Sequence, residues 1–235
     1  MRYMLLKKDI FFDIKVRVSD IITYEKAMRK VKPEDEIPSN ELTYEAQQNR
    51  LTSFTTSHQS NVELTKLRNW LIANHNVASH KEILEALCDG ADLHYRNDIS
   101  PVSVCRKGCG YCCKTSVLIT RTEAERISST TGKTLNNLED SCMADTNDGL
   151  MDTYCPFFDT DSAGCSVYSA RPLACRIQAT IDHYEYCRDG GEHLMIRLGD
   201  GEPFAMGMKL LAQKLLDEEK SGNGAAISDI RNWFV

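Results

Sequence analysis

The sequence predicts a small α+β protein, rich in helix, with short strands set around a cysteine-bound metal centre. Three observations carry that expectation. Two capped amphipathic helices lead into the nonapeptide CRKGCGYCC at 105–113, where four of the ten cysteines fall within nine positions. Short runs of strand period stand between the helices, and four more cysteines follow downstream.

The first element is a strand over 12–18, where Phe12, Ile14, Val16 and Val18 alternate with Asp13, Lys15 and Arg17. Ser19 then caps a short helix through Arg29, and the polar, proline-bearing stretch 31–40 reads as a linker. Residues 41–57 are weakly helical. Two stronger helices follow, each with a serine three residues before a glutamate: Ser60 with Glu63, and Ser79 with Glu82. In that arrangement each side chain satisfies a backbone amide that the first helical turn leaves free. Leu64, Leu67 and Leu71 form one apolar stripe, and Ile83, Leu84 and Leu87 the other, both of them core surfaces.

Beyond the nonapeptide, 116–120 suits a short strand, and Thr122 with Glu125 offers a third capping box for a helix carrying Ala124 and Ile127. Residues 132–153 are polar and irregular. Leu194, Ile196 and Leu198 alternate as in a strand, and Phe204, Met208, Leu211 and Leu215 line a closing helix. The chain divides in this reading into an N-terminal extension, 1–59, and a cysteine-cluster domain, 60–235, with its core at 80–200.

Composition excludes several classes. The 235 residues carry a formal net charge of −6, which argues against a nucleic-acid partner, because phosphate binding needs a basic stripe. No run approaches the roughly 20 apolar residues of a membrane span, and Lys7, Lys8 and Asp9 interrupt the N-terminal apolar residues. The expectation is a cytoplasmic protein with no membrane partner. In a reducing compartment, clustered thiols point to metal ligation or redox chemistry and away from structural disulfides.

Cys105, Cys109, Cys112 and Cys113 form C-x3-C-x2-C-C, and Cys155, Cys165, Cys175 and Cys187 follow, the last three about ten residues apart. Two or three intervening residues let the backbone curl so that successive sulfurs face one centre. Gly108 and Gly110 suit such a curl, and amide donors to sulfur offset the charge of a tetrathiolate site. Arg106, Lys107, Lys114, Arg171, Arg176 and Arg188 lie near the cysteines and favour thiolate over thiol. The eight thiols allow two four-thiolate sites, or one cluster with supporting cysteines. Cys88 and Cys142 stand apart and read as small buried hydrophobes.

The stretches SVCRKGCGYCCKTSVLITRTEAERI and YCPFFDTDSAGCSVYSARPLACR resemble the two signature blocks of the YkgJ-like cysteine-cluster family, the zinc- or iron-chelating proteins named for CxxCxxCC. The likeness spans about 80–190. Cys105 and Cys109 enclose three residues where the name motif has two. Relatives of this family resemble flagellin lysine methylases, and that likeness implies an iron–sulfur centre, S-adenosylmethionine as a cofactor and a protein lysine as substrate. The alternative is a non-catalytic zinc module that binds a partner protein.

Two other readings compete. Cys105-x3-Cys109-x-Tyr111-Cys112 matches the three-cysteine loop of radical S-adenosylmethionine enzymes, with Gly190-Gly191-Glu192 downstream. The βα alternation of a barrel is absent, however, and the second cysteine block has no place in that scheme. His183 lies four residues before Cys187, a helical spacing that admits a histidine-activated thiol. Among metals, the irregular spacing and the pair Cys155-Pro156 favour an iron–sulfur cluster, a 4Fe-4S one first, over zinc.

Overall fold

The computed structural model describes residues 43–59, 61–105, 110–141, 154–159, 161, 164–182, 186–187, 195–198, 202–222 and 226–234. The chain divides into two units, Met1–Glu36 and Ile37–Val235, and every described residue belongs to the second. The strand, helix and linker expected over 12–40 lie outside the described residues.

Helices α1 (Tyr44–Gln59), α2 (Val62–Asn74) and α3 (His80–His94) come first. The second does not start at Ser60. Asn61 is the cap, its side-chain oxygen accepting from the amides of Glu63 at 2.9 Å and Leu64 at 3.1 Å. Asparagine and serine compete on nearly equal terms for this position, and here the later residue sits one step before the first helical amide. The expected box at Ser79 and Glu82 is present. Leu71, Ile83, Leu84 and Leu87 are fully buried, and each such side chain contributes on the order of 1.5–3 kcal/mol of transfer free energy.

A π turn at Tyr95–Ile99 ends α3, and the cysteine segment follows with a 3-10 turn at Tyr111–Lys114. Then come β1 (Leu118–Thr120), α4 (Arg121–Thr131), β2 (Phe158–Asp159), β3 (Gly164–Cys165), α5 (Leu173–Arg176), β4 (Gln178–Thr180), β5 (Met195–Arg197), α6 (Phe204–Lys220), β6 (Ile227–Asp229) and α7 (Ile230–Trp233). The third capping box falls two residues earlier than the sequence suggests: Thr120 and Glu123 form it, not Thr122 and Glu125.

Among the described residues the strands form three antiparallel pairs, β1 with β6, β2 with β3 and β4 with β5. In the first, Leu118 faces Asp229 and Thr120 faces Ile227, which draws the C-terminal end of the described chain against the segment that leaves the cysteines. In the second, Phe158 faces Cys165. Helices with a few short antiparallel strands make this a small α+β protein, as the sequence predicts.

Among the described residues, two apolar clusters hold the unit. One packs α2, α3 and α6 over β4 and β5, with Leu71, Leu87, Ile99, Ile181 and Phe204 at its centre, and α1 leans on it through Leu51 and Phe54. The close crossing of α3 and α6 needs Gly207, since a Cβ there would overlap Leu87. The other joins β1, α4 and α7 around Ile119, Ile127, Phe157, Trp233 and Phe234, with Cys155 and Cys165 at its margin. Met208, expected in the α6 stripe, is 41% exposed, while Phe204, Leu211 and Leu215 are buried. No helix among the described residues is long and apolar enough to cross a membrane.

Candidate metal centre

The cysteines sit on short, hydrogen-bonded pieces of chain, and each piece is fixed by contacts with distant residues. Residues 103–105 lie along β4: the Val104 amide donates to the Thr180 carbonyl at 2.9 Å, and the Ser103 hydroxyl to the same oxygen at 3.1 Å. The Cys105 amide donates to Ser103 Oγ at 3.0 Å. From the other direction, the Thr180 amide donates to Cys105 Sγ at 3.3 Å, and Thr180 Oγ1 stands 3.2 Å from Cys187 Sγ. Residues 105 and 187, far apart in the chain, thus share one neighbour.

Cys112 and Cys113 occupy the 3-10 turn. The turn is closed by the Cys113 amide donating to the Gly110 carbonyl at 3.0 Å and by Thr115 Oγ1 donating to the Cys112 carbonyl at 2.7 Å. The Cys113 carbonyl accepts from the Cys155 amide at 2.7 Å and from Arg231 Nη2 at 2.9 Å. This one oxygen joins the first cysteine block, the second block and the C-terminal helix. Arg231 also donates to the Thr115 carbonyl at 3.1 Å, while Asp229 Oδ2 accepts from Ser116 Oγ and the Val117 amide, both at 2.8 Å.

Cys155 precedes β2 and Cys165 ends β3, opposite Phe158. Cys175 lies on α5, whose first amide, at Leu173, donates to Glu123 Oε1 at 2.8 Å. The other oxygen of Glu123 accepts from the Thr120 amide at 2.8 Å. A buried carboxylate is costly unless its lone pairs are filled, and here both oxygens serve backbone amides. Glu123 thereby positions Cys175 from α4. Glu123, Asp229 and Arg231 escape the sequence reading, although Asp229 directly before Ile230 carries a recognisable helix-cap signal.

The thiols influence one another. The hydrogen bond with Cys113, burial, and the nearby sulfurs of Cys113 and Cys187 push the Cys112 thiol well above the ordinary range. Loss of solvent around the sulfur, and then Cys112, Cys155 and Cys165, raise Cys175 as well, although the residue as a whole is exposed. Burial raises Cys165 too, with Cys112 adding to the shift and Arg171 opposing it, and burial and Cys165 raise Cys155. Apart from the hydrogen bond at Cys112, the shifts share a cause, since removing solvent from sulfurs that lie near one another penalises the thiolate charge until a cation neutralises it. A soft thiolate donor set suits zinc or an iron–sulfur cluster, so these residues fit such a group.

The structure brings Cys112 within electrostatic reach of Cys113, Cys165, Cys175 and Cys187, brings Cys155 within reach of Cys165 and Cys175, and links Cys105 to Cys187 through Thr180. Among the described residues, no three Cys, His, Asp or Glu side chains are close enough to hold one metal ion. Cys109, Cys142, Gly108, Arg106, Lys107, Arg188, His183 and Gly190 to Glu192 lie outside the described residues. Cys88 is buried on α3 among apolar side chains, with Arg126 Nη1 at 3.6 Å and Arg176 of α5 close enough to act on its thiol.

The basic residues do other work than charge compensation alone. Arg176 is buried, pairs with Asp92, and donates to the carbonyls of Ser169 at 2.7 Å and Arg171 at 2.9 Å. Arg171 lies over the rings of Tyr168 at 4.3 Å and Tyr95 at 5.6 Å, and Lys114 lies over Tyr154 at 4.7 Å. Gly110 has φ of −113°, so its glycine is not required by a left-handed turn.

A domain of small helices and hairpins that gathers cysteines from several segments defines a cysteine-cluster protein. Residues 104–190 match the family model described as "CxxCxxCC: Putative zinc- or iron-chelating domain", and the chain carries this cysteine-cluster domain. That description supports a metal cofactor, zinc or iron. No curated protein and no solved structure matches the chain.

Proposed function

We propose that the protein is an iron–sulfur protein whose centre is held by Cys105, Cys109, Cys112, Cys113, Cys155, Cys165, Cys175 and Cys187. The observation that carries this reading is the position of Cys112, whose sulfur feels those of Cys113 and Cys187 and itself acts on Cys165 and Cys175, thiols drawn from four separate stretches of chain. Zinc sites commonly pair two compact knuckles, whereas clusters accept cysteines from irregular spacings and dispersed loops. When bound, such a centre supplies one-electron transfer and a Lewis-acidic iron. The protein's own groups supply the amide and hydroxyl donors around sulfur and the partial burial that tunes it.

Purification without oxygen, followed by assays of iron, acid-labile sulfide and visible absorption, tests the proposal. Iron and sulfide in stoichiometric amounts are expected, and stoichiometric zinc with no labile sulfide overturns it. Zinc in an aerobic preparation decides nothing, because a tetrathiolate pocket has little power to exclude it.

The second reading is a zinc-held module for recognising another protein. It draws support from the ties that run through the cysteine segments themselves, above all the Cys113 carbonyl with its two partners from distant chain. Methyl transfer from S-adenosylmethionine to a protein lysine rests on the family likeness alone. Calorimetry of the metal-loaded protein with S-adenosylmethionine is its test, and no binding at millimolar ligand removes it.

A further inference from the structure

Thr180 ends β4 and is 2% exposed. A buried threonine in a strand ordinarily needs one acceptor for its hydroxyl, and a valine fills nearly the same volume. This one directs each of its polar atoms at cysteine-bearing chain. Its carbonyl holds Val104 and Ser103, its amide reaches Cys105 Sγ at 3.3 Å, and its hydroxyl lies 3.2 Å from Cys187 Sγ. The amide and carbonyl of one strand residue point to the same edge, so residues 103–105 run along the edge of β4 that β5 leaves open.

We infer that Thr180 is a positioning residue of the metal centre, which sets Cys105 and Cys187 as a ligand pair by donating its amide to one sulfur and its hydroxyl to the other. The inference rests on the metal-binding reading above. A metal-bound thiolate carries no proton, so toward Cys187 the hydroxyl is the donor. Two such donors spread the sulfur charge and fix the direction of the lone pairs, the same service that outer hydrogen bonds give to ligands in other metal sites. The two parts of Thr180 are separable: the amide is kept by any residue at 180 except proline, while the hydroxyl is lost in valine and kept in serine.

The test titrates cobalt(II) alone into the reduced, full-length chain without oxygen, for wild type, Thr180→Val and Thr180→Ser. Affinity is read by competition with a chelator, and the sulfur-to-cobalt charge-transfer band is read in the same samples. Thr180→Val is expected to bind cobalt about 10-fold or more weakly, the usual cost of removing an outer partner of a ligand, and to shift the band. Thr180→Ser is expected to restore both. In a Cys187→Ser background the Thr180→Val effect is expected to vanish, since the bonded sulfur is gone. A purely packing role would move neither the band nor this coupling. Thr180→Val with wild-type affinity and band position overturns the inference while leaving the metal-binding reading standing. A wild-type chain that takes up no cobalt overturns both. If Thr180→Val does not fold, Thr180→Ala carries the same comparison.

Discussion

The ring of Phe158 occupies the space that any side chain at Gly110 would need. A Cβ built on Gly110 overlaps Cε2 and Cζ of Phe158, closer than real Cβ atoms come to any neighbour. The ring cannot simply turn aside, because Phe158 is stacked on Tyr154 with centroids 4.3 Å apart, and Tyr154 in turn lies beneath Lys114. Glycine is therefore required inside the cysteine motif for close approach and not for backbone conformation. Gly110→Ala is expected to destabilise the protein by about 1–3 kcal/mol, the usual cost of overpacking. Phe158→Ala is expected to recover part of that loss in the double variant. Urea unfolding of the four proteins checks this, and additive effects would show that the two positions do not meet.

Arg176 belongs to the RPLACR stretch that marks the second cysteine block, yet its contacts are structural. It bonds two carbonyls and pairs with Asp92, which is 40% exposed. Removing one partner of a buried pair costs about 3–5 kcal/mol, and the exposure of Asp92 lets its carboxylate hydrate and lowers that figure. Arg176→Ala is accordingly expected to lose about 2–3 kcal/mol in chemical denaturation. Arg176→Lys is expected to recover little, because an ammonium cannot span both carbonyls and the carboxylate at once.

His80 makes stability depend on pH. Burial lowers its imidazole, against the opposing pull of Glu218, whose carboxylate lies 3.6 Å from Nδ1, and of Glu123, with Lys214 adding to the lowering. Its Nε2 is buried with no hydrogen-bond partner among the described residues. The unfolded chain takes up this proton near pH 6.5, and the native fold only at lower pH. The contribution is therefore fully present above about pH 6.5 and is lost as pH falls toward the native value. Urea unfolding on either side of that point, at about pH 7.5 and about pH 5.5, is expected to show a larger loss in wild type than in His80→Asn. An equal loss in both would remove His80 as the cause.

The parts of the fold that were legible in the sequence are those set by local chemistry. Ser79 and Glu82 form their box because nothing nearby competes with them. The stretch ITRTEAE holds two overlapping frames, Thr120 to Glu123 and Thr122 to Glu125, and local signals cannot choose between them. The choice is tertiary: Thr120 ends the β1–β6 pairing, and only Glu123 can also reach the Leu173 amide. Met208 illustrates the same limit, since it shares the spacing of Phe204 and Leu211, but the contact of α6 with α3 runs through Gly207. The cysteines announce themselves because outside ligation and redox chemistry a chain rarely sets so many thiols so close together. Asp229 and Arg231 do not, because their partners at 113–117 are more than a hundred residues away, and no pattern in a single sequence records such a pairing.

The division of cysteines into those that meet and those that stand apart predicts the outcome of single serine replacements. Cys88 is 3% exposed, burial raises its thiol, and Arg126 only partly opposes that shift. It packs within the apolar cluster of α2, α3 and α6, and no other cysteine is among the groups that act on its thiol, so Cys88→Ser is expected to keep its full metal content. The hydroxyl placed among apolar side chains, with Arg126 as a polar neighbour, is expected to cost about 1–2 kcal/mol of stability. Cys112 is the opposite case, because its sulfur interacts with those of Cys165 and Cys175 and also with that of Cys187. Cys112→Ser is expected to lose most of the bound metal, and with it the stability that binding adds to the folded chain. Replacements at Cys105, Cys109, Cys113, Cys155, Cys165, Cys175 and Cys187 are each expected to lower metal content, less where serine oxygen or a neighbouring thiol can substitute. Elemental analysis of the series prepared without oxygen decides the matter. Full metal in most of these eight variants would mean that the cysteines gather for some reason other than ligation, and loss of metal in Cys88→Ser would mean that the centre reaches into α3.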